Sequence, residues 1–413
     1  MNVADNLCPH AIFLGAGASY SSGYPVGDGL RLRLACLNRF LEELKTGFPS
    51  HFKDNPVFLD VYNAHVKQFG KSIDLFRNGG FATVDEFSKL MSGSNPKDVQ
   101  RMKKLMRSAL LFHNPEDKFN ESDYYAFIQR LFLEDNLEEL RTDVSVISYN
   151  YDCYLDFLLL RAYECRQQYV DKRQMTTFFK NKLTSGFFHP YDLQWSEQPL
   201  GFNYYKLHGS ISFLEDKQAR MSEFFSNSPG DRLKLLEQLA APDATAPPIV
   251  FPWEVFAPQR GFVTEDEFIF VKESNEQAEN LGRSLYQLYK RIWESAKDSV
   301  MNAKKISFVG LSAHPYMVEG LSYLFRGKHG GCQIVVANPV NSDYRESRNR
   351  LHPASLCGRM YQILKRVAPD MICVGSSSED DGTFSTEGMD ENTTEPSITA
   401  RYSFKEFIER EMT

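Results

Sequence analysis

Three short polar clusters, each directly after an apolar run, carry most of the chemistry available to this chain. Lys206-Leu-His208-Gly-Ser210 contains a histidine, the side chain that titrates nearest neutral pH and can take a proton from water or a sugar hydroxyl. Ser148-Tyr-Asn150-Tyr-Asp152 offers an amide able to orient a hydroxyl or a water, and a carboxylate able to accept hydrogen bonds or to cap a helix over 153–161. Gly15-Ala16-Gly17-Ala18-Ser19, with Gly23-Tyr-Pro25 behind it, has little or no side chain. Its N–H groups can therefore approach a phosphate closely, above all at a helix start. This turn lacks the third glycine of GxGxxG and the Gly-Lys-Ser/Thr ending of a P-loop. Gly310-Leu-Ser312 and Asn338-Pro339 complete the set. Taken singly, each cluster also reads as ordinary structure: a glycine turn, a turn asparagine, an N-cap, a satisfied histidine.

The elements that must position these residues follow from the hydropathy pattern. Short apolar runs at Ala11–Leu14, Val144–Ser148, Asn203–Leu207, Ile249–Phe251, Ile306–Val309 and Gln333–Ala337 predict strands, with helical stretches between them. That alternation predicts an α/β fold, a Rossmann-like, mostly parallel sheet, in which ligands sit at the carboxyl ends of the strands. Five of the runs end in the polar or small residues just named, so His208 and Asn150 are expected at exposed strand ends rather than in the core. Apolar spacing over Val84–Met91, Val99–Phe112 and Asp123–Leu140 predicts a large helical insertion or lid at 31–140, without strands. The α/β domain is then discontinuous, 1–30 and 141–375. Residues 376–398, acidic and rich in Ser, Thr and Gly, read as a flexible linker, and 399–413 as an amphipathic C-terminal helix. Such a tail packs on its own domain or meets a partner.

Composition narrows the class. With 413 residues, 42% hydrophobic and 24% charged, the chain has ample core for one large or two smaller domains. A net charge of −7 argues against a broadly basic surface, so direct nucleic-acid binding is not expected. No apolar run reaches the length of a membrane span and no signal peptide opens the sequence, which predicts a cytoplasmic protein. Cysteines at 8, 36, 153, 165, 332, 357 and 373 are odd in number and form no CxxC pair, as expected of reduced thiols. No HExxH, GxSxG or paired-carboxylate motif is present.

In order and in strand-end placement, the five clusters resemble the sirtuin family. They are most similar to bacterial sirtuin-like NAD-cleaving proteins of antiphage defence, which typically carry Asn-Tyr-Asp and Leu-His-Gly-Ser in these places. The likeness covers residues 10–30, 145–156, 202–213, 248–252 and 305–340, under a third of the chain. It implies NAD as substrate, with His208 facing the nicotinamide ribose, Gly209 leaving room for that ribose, and Asn150 positioning a hydroxyl or the attacking water. It further implies that Asp152 accepts from the nicotinamide carboxamide. Gly15, Ala16, Gly17, Ser19 and Pro25 would then form the cofactor loop, and Gly310, Ser312 and Asn338 would hold the phosphates and the adenine-side ribose. His314 is an unexpected polar neighbour of that loop. Two departures matter. The zinc ribbon of deacylating sirtuins, with its two CxxC pairs, is missing, and Val26-Gly-Asp28 stands where they carry Asp-Phe-Arg. No zinc and no peptide deacylation are therefore expected, while cleavage of NAD to nicotinamide and ADP-ribose is. The alternatives are an ADP-ribosyltransferase or deacylase, and a non-catalytic NAD or ADP-ribose sensor. A homo-oligomer gated by assembly is expected, and the resemblance allows a separately encoded HerA-like ATPase as partner.

Overall fold

The computed structural model describes residues 9–22, 56–79, 84–94, 96–111, 123–133, 136–141, 143–152, 154–155, 158, 203–211, 246–257, 261–268, 276–311, 317–328, 332–337, 356–368, 376–377, 383–385, 398–401 and 403–412. Its centre is a parallel sheet built from β1 (His10–Leu14), β2 (Val144–Ser148), β3 (Asn203–Lys206), β4 (Lys305–Val309), β5 (Gln333–Ala337) and β6 (Ile398–Arg401). The strands lie in the order β6–β5–β4–β1–β2–β3, all parallel. The chain thus walks outward from β1 to β3 on one side, then returns to β1's other edge and walks outward again. The reversal falls between β1 and β4, whose last residues Leu14 and Val309 are in register. In a sheet of this order, ligands bind in the crevice at the carboxyl ends of those two strands. The fold is α/β and Rossmann-like.

Burial explains why these segments pair. All five residues of β1 are buried, as are all five of β2, so both strands need apolar side chains on both faces. The longer helices among the described residues are α1 (Pro56–Asn78), α2 (Val84–Ser94), α3 (Pro96–Leu111), α4 (Asp123–Leu131), α5 (Glu276–Asn302), α6 (Met317–Phe325), α7 (Leu356–Val367) and α8 (Phe404–Glu411). The long α5 covers one sheet face with Leu285, Tyr289, Ile292, Trp293, Ala296 and Val300, spaced by three or four residues along one stripe. Trp293 Nε1 also donates to the Leu207 carbonyl at 3.0 Å, which ties this helix to the end of β3.

Four expectations are corrected. Asp123–Leu140 is not helical throughout: α4 stops at Leu131, and Phe132–Leu133 pairs antiparallel with Asn136–Leu140. Ile249–Phe251 is buried but is not a strand, since the flanking Pro248 and Pro252 lack the N–H groups a ladder needs. At its described residues the stretch 376–398 is not a free linker, because Ser376–Ser377 and Thr383–Ser385 extend the sheet antiparallel beyond β6. The C-terminal segment begins as strand β6. Helix α8 follows, with Ser403 Oγ accepting from the Glu406 N–H at 3.1 Å. This helix packs on its own domain. Phe404 lies against Tyr124 and Phe127 of α4, Phe407 against His10, and Glu411 pairs with Lys305 at 2.7 Å.

Candidate functional site

The two glycine turns at the crevice pack backbone to backbone. Gly17 N–H donates to the Gly310 carbonyl at 2.8 Å, Gly15 N–H to Val309, and Gly310 N–H to Ala337. A Cβ on Gly15 would stand 2.6 Å from the Gly310 oxygen, and one on Gly310 would collide with the Ala18 nitrogen. Gly310 also sits at φ +63°, which disfavours any side chain. These glycines have a packing requirement of their own. Ala18 N–H bonds to the Gly15 carbonyl, so the Gly15, Gly17 and Ala18 amides hold the turn closed rather than standing open to a phosphate. From Ala16 the turn runs as a 3₁₀ helix to Ser22.

Asn150, at the end of β2, reaches across to this turn. Its Nδ2 donates to the Gly15 carbonyl at 3.1 Å and to Ser19 Oγ at 3.3 Å, and its N–H to Ser148 Oγ at 3.2 Å. Ser19 Oγ in turn donates to Asp152 Oδ2 at 3.2 Å and lies 3.4 Å from the Tyr124 hydroxyl of α4. The other Asp152 oxygen accepts from the Tyr154 N–H at 3.0 Å, the bond expected of a cap. Asp152 therefore divides its carboxylate between the cap and Ser19. Burial pushes its pKa up, and Lys206 pulls it back down. The buried Lys206 Nζ donates to the Asp152 carbonyl and to Ser210 Oγ at 3.0 Å. Lys206 lies inside the histidine motif, and nothing in the motif's spacing marks it for this role.

His208 is buried, 2% exposed, against the expectation of an exposed strand end, and Asn150 is buried too. The imidazole sits among the rings of Tyr149 at 5.2 Å, Tyr151 at 5.9 Å and Trp293 at 5.8 Å between centroids. The two tyrosines flank Asn150 in sequence, which brings the amide network and the histidine into one neighbourhood. Among the described residues, neither His208 ring nitrogen has a partner in good hydrogen-bond geometry, nor does the Tyr149 hydroxyl. Each such buried orphan costs about 1–3 kcal/mol. Burial drives the His208 pKa from 6.5 down to about 3, with only the Val250 backbone opposing it, so the ring is neutral at pH 7. Gly209, at φ +75°, leaves room for protein rather than ligand: a Cβ there would collide with the Tyr289 hydroxyl and lie 2.6 Å from the Pro248 carbonyl.

The insertion reaches this neighbourhood at three further points. Tyr151 donates to Asp85 Oδ1 in the first turn of α2 at 3.3 Å, and Trp253 Nε1 to Ser88 Oγ at 2.7 Å. Lys103 of α3 pairs with Glu254 at 2.7 Å, both fully buried. Desolvation raises the Asp85 pKa to about 6, against the bond from Tyr151. Ser312, His314, Asn338 and Pro25 lie outside the described residues, as does most of the segment 153–161. No family model matches the chain, and a comparison with curated proteins finds no match. No described helix is long and apolar enough to cross a membrane.

Proposed function

We propose that the protein hydrolyses the N-glycosidic bond of NAD, releasing nicotinamide and ADP-ribose, as an NAD-depleting effector of the kind its motifs resemble. The observation that carries this reading is the imidazole of His208: buried, neutral and with both nitrogens unpartnered among the described residues, beside the carboxyl ends of a sheet with a dinucleotide-binding strand order. In the reaction, the bond between ribose C1′ and the pyridinium nitrogen breaks and its electron pair neutralises that nitrogen. A water oxygen bonds to C1′, and the water's proton passes to His208 and then to solvent. Attack on an oxocarbenium-like carbon makes that proton strongly acidic, so a weakly basic imidazole suffices. Asn150 fixes the turn around Gly15 against the end of β2, and the aromatic rings about His208 exclude bulk water. Most of the rate acceleration is then positioning and electrostatics.

Nicotinamide release from NAD by the purified protein, compared with His208→Ala and Asn150→Ala, tests the reading. Both variants should lose turnover by about a hundredfold or more. Near-normal release from a folded His208→Ala chain would refute the assignment. Binding of NAD without any turnover by the unaltered protein would favour a sensor instead.

A further inference from the structure

Glu254 and Lys103 form an ion pair with neither side chain exposed to solvent, joining a helix of the insertion to the segment that lies against His208. A buried pair gains little stability over well-packed apolar side chains of the same size, so its presence calls for another use. The second Glu254 oxygen supplies one: Oε2 accepts from the Phe251 N–H at 2.6 Å. Phe251 closes a short chain of contacts to the imidazole. Its ring lies 6.0 Å from Tyr151, which lies 5.9 Å from His208, and the neighbouring Val250 N–H donates to the His208 carbonyl at 3.0 Å. The Lys103 ammonium sits 5.3 Å over the same Phe251 ring.

We infer that Glu254 is a positioning residue for His208: its carboxylate fixes the Phe251 amide, and with it the Val250–Phe251 backbone on which the imidazole rests, while Lys103 of the insertion supplies the counter-charge. The insertion is therefore part of the site and not an appendage to it. The inference rests on the reading of His208 as the reacting group, and its test separates the two.

Two double variants remove the buried charge and differ in one hydrogen bond. Lys103→Met with Glu254→Gln keeps an acceptor for the Phe251 amide; Lys103→Met with Glu254→Met, matched in length, does not. In chains carrying ring-labelled histidine, the His208 resonances (assigned by their loss in His208→Gln) should stay in place in the first double and move in the second. Nicotinamide release from NAD should follow: kcat within roughly threefold of the parent in the first, and lower by about tenfold to a hundredfold in the second with KM little changed. Superimposable His208 resonances in the two doubles overturn the inference, whatever the chain does with NAD. If the parent does not cleave NAD, the proposed function fails while the resonances still decide the role of Glu254. If the Met/Met chain does not fold, Lys103→Met with Glu254→Leu takes its place as the chain without the acceptor: His208 resonances displaced from those of the Met/Gln chain support the inference, and superimposable ones overturn it.

Discussion

Replacing His208 by Gln should flatten the dependence of stability on pH by a definite amount. The imidazole is held at about 3 in the folded chain, whereas in the unfolded chain it titrates near 6.5. A base with a depressed folded pKa binds more protons when unfolded, so its contribution is fully present above pH 6.5 and is lost as pH falls toward 3. At pH 7 the unfolded imidazole is mostly neutral, and at pH 5 it is almost wholly protonated. Between those two values the difference amounts to about 2 kcal/mol for this one group. Other groups titrate as well: His10, also near 3, adds to the loss, and Asp85, raised to about 6, opposes it. Those contributions are common to both chains and cancel in the comparison. Urea unfolding at pH 7 and pH 5 should therefore show the parent losing about 2 kcal/mol more than His208→Gln. Parallel losses in the two chains would mean that His208 is solvated or ionised in the folded protein, and the buried neutral base would have to be abandoned.

Gly310→Ala should cost about 2–6 kcal/mol, since the new Cβ meets the Ala18 nitrogen and φ is +63°; an unchanged melting temperature would remove the packing account of the seam. Removing residues 376–413 should lower the melting temperature rather than merely dissociate copies of the chain, because β6 and the contacts of Phe404 and Phe407 go with it. Mass in solution measured alongside the melting curve separates the two effects. Metal analysis should find no stoichiometric zinc, and acetyl-lysine peptides should not be deacylated; one zinc per chain would contradict the reading of the cysteines.

The sheet was the most legible part of this molecule. Ala11–Leu14, Val144–Ser148 and Ile334–Ala337 are buried on both faces, and a run of apolar residues between turn signals is the mark of that environment. Ile249–Phe251 is equally apolar but bracketed by Pro248 and Pro252, which cannot donate to a ladder. The clusters at Asn150 and His208 could be read as chemistry, yet their burial could not, because it comes from distant residues: Tyr124 for Ser19, Trp293 for His208. Lys103 and Glu254 lie 151 positions apart, and each alone looks like an ordinary surface charge. Ser376–Ser377 and Thr383–Ser385 carry linker composition and become strands because a sheet edge is there to receive them.

The seam between β1 and β4 also sets a timetable. Their pairing joins residues nearly three hundred apart, the His10 to Ser307 bond spanning 297 positions. On a ribosome adding about 5–20 residues per second, β1 waits on the order of 15–60 s for its second neighbour. Through that interval one edge of the central strand stays unpaired and open to pairing with another chain. The glycine turns cannot close on one another until the later half of the chain has emerged. Whatever the crevice binds, a nascent or truncated chain cannot bind it, and competence arrives only when synthesis is almost done.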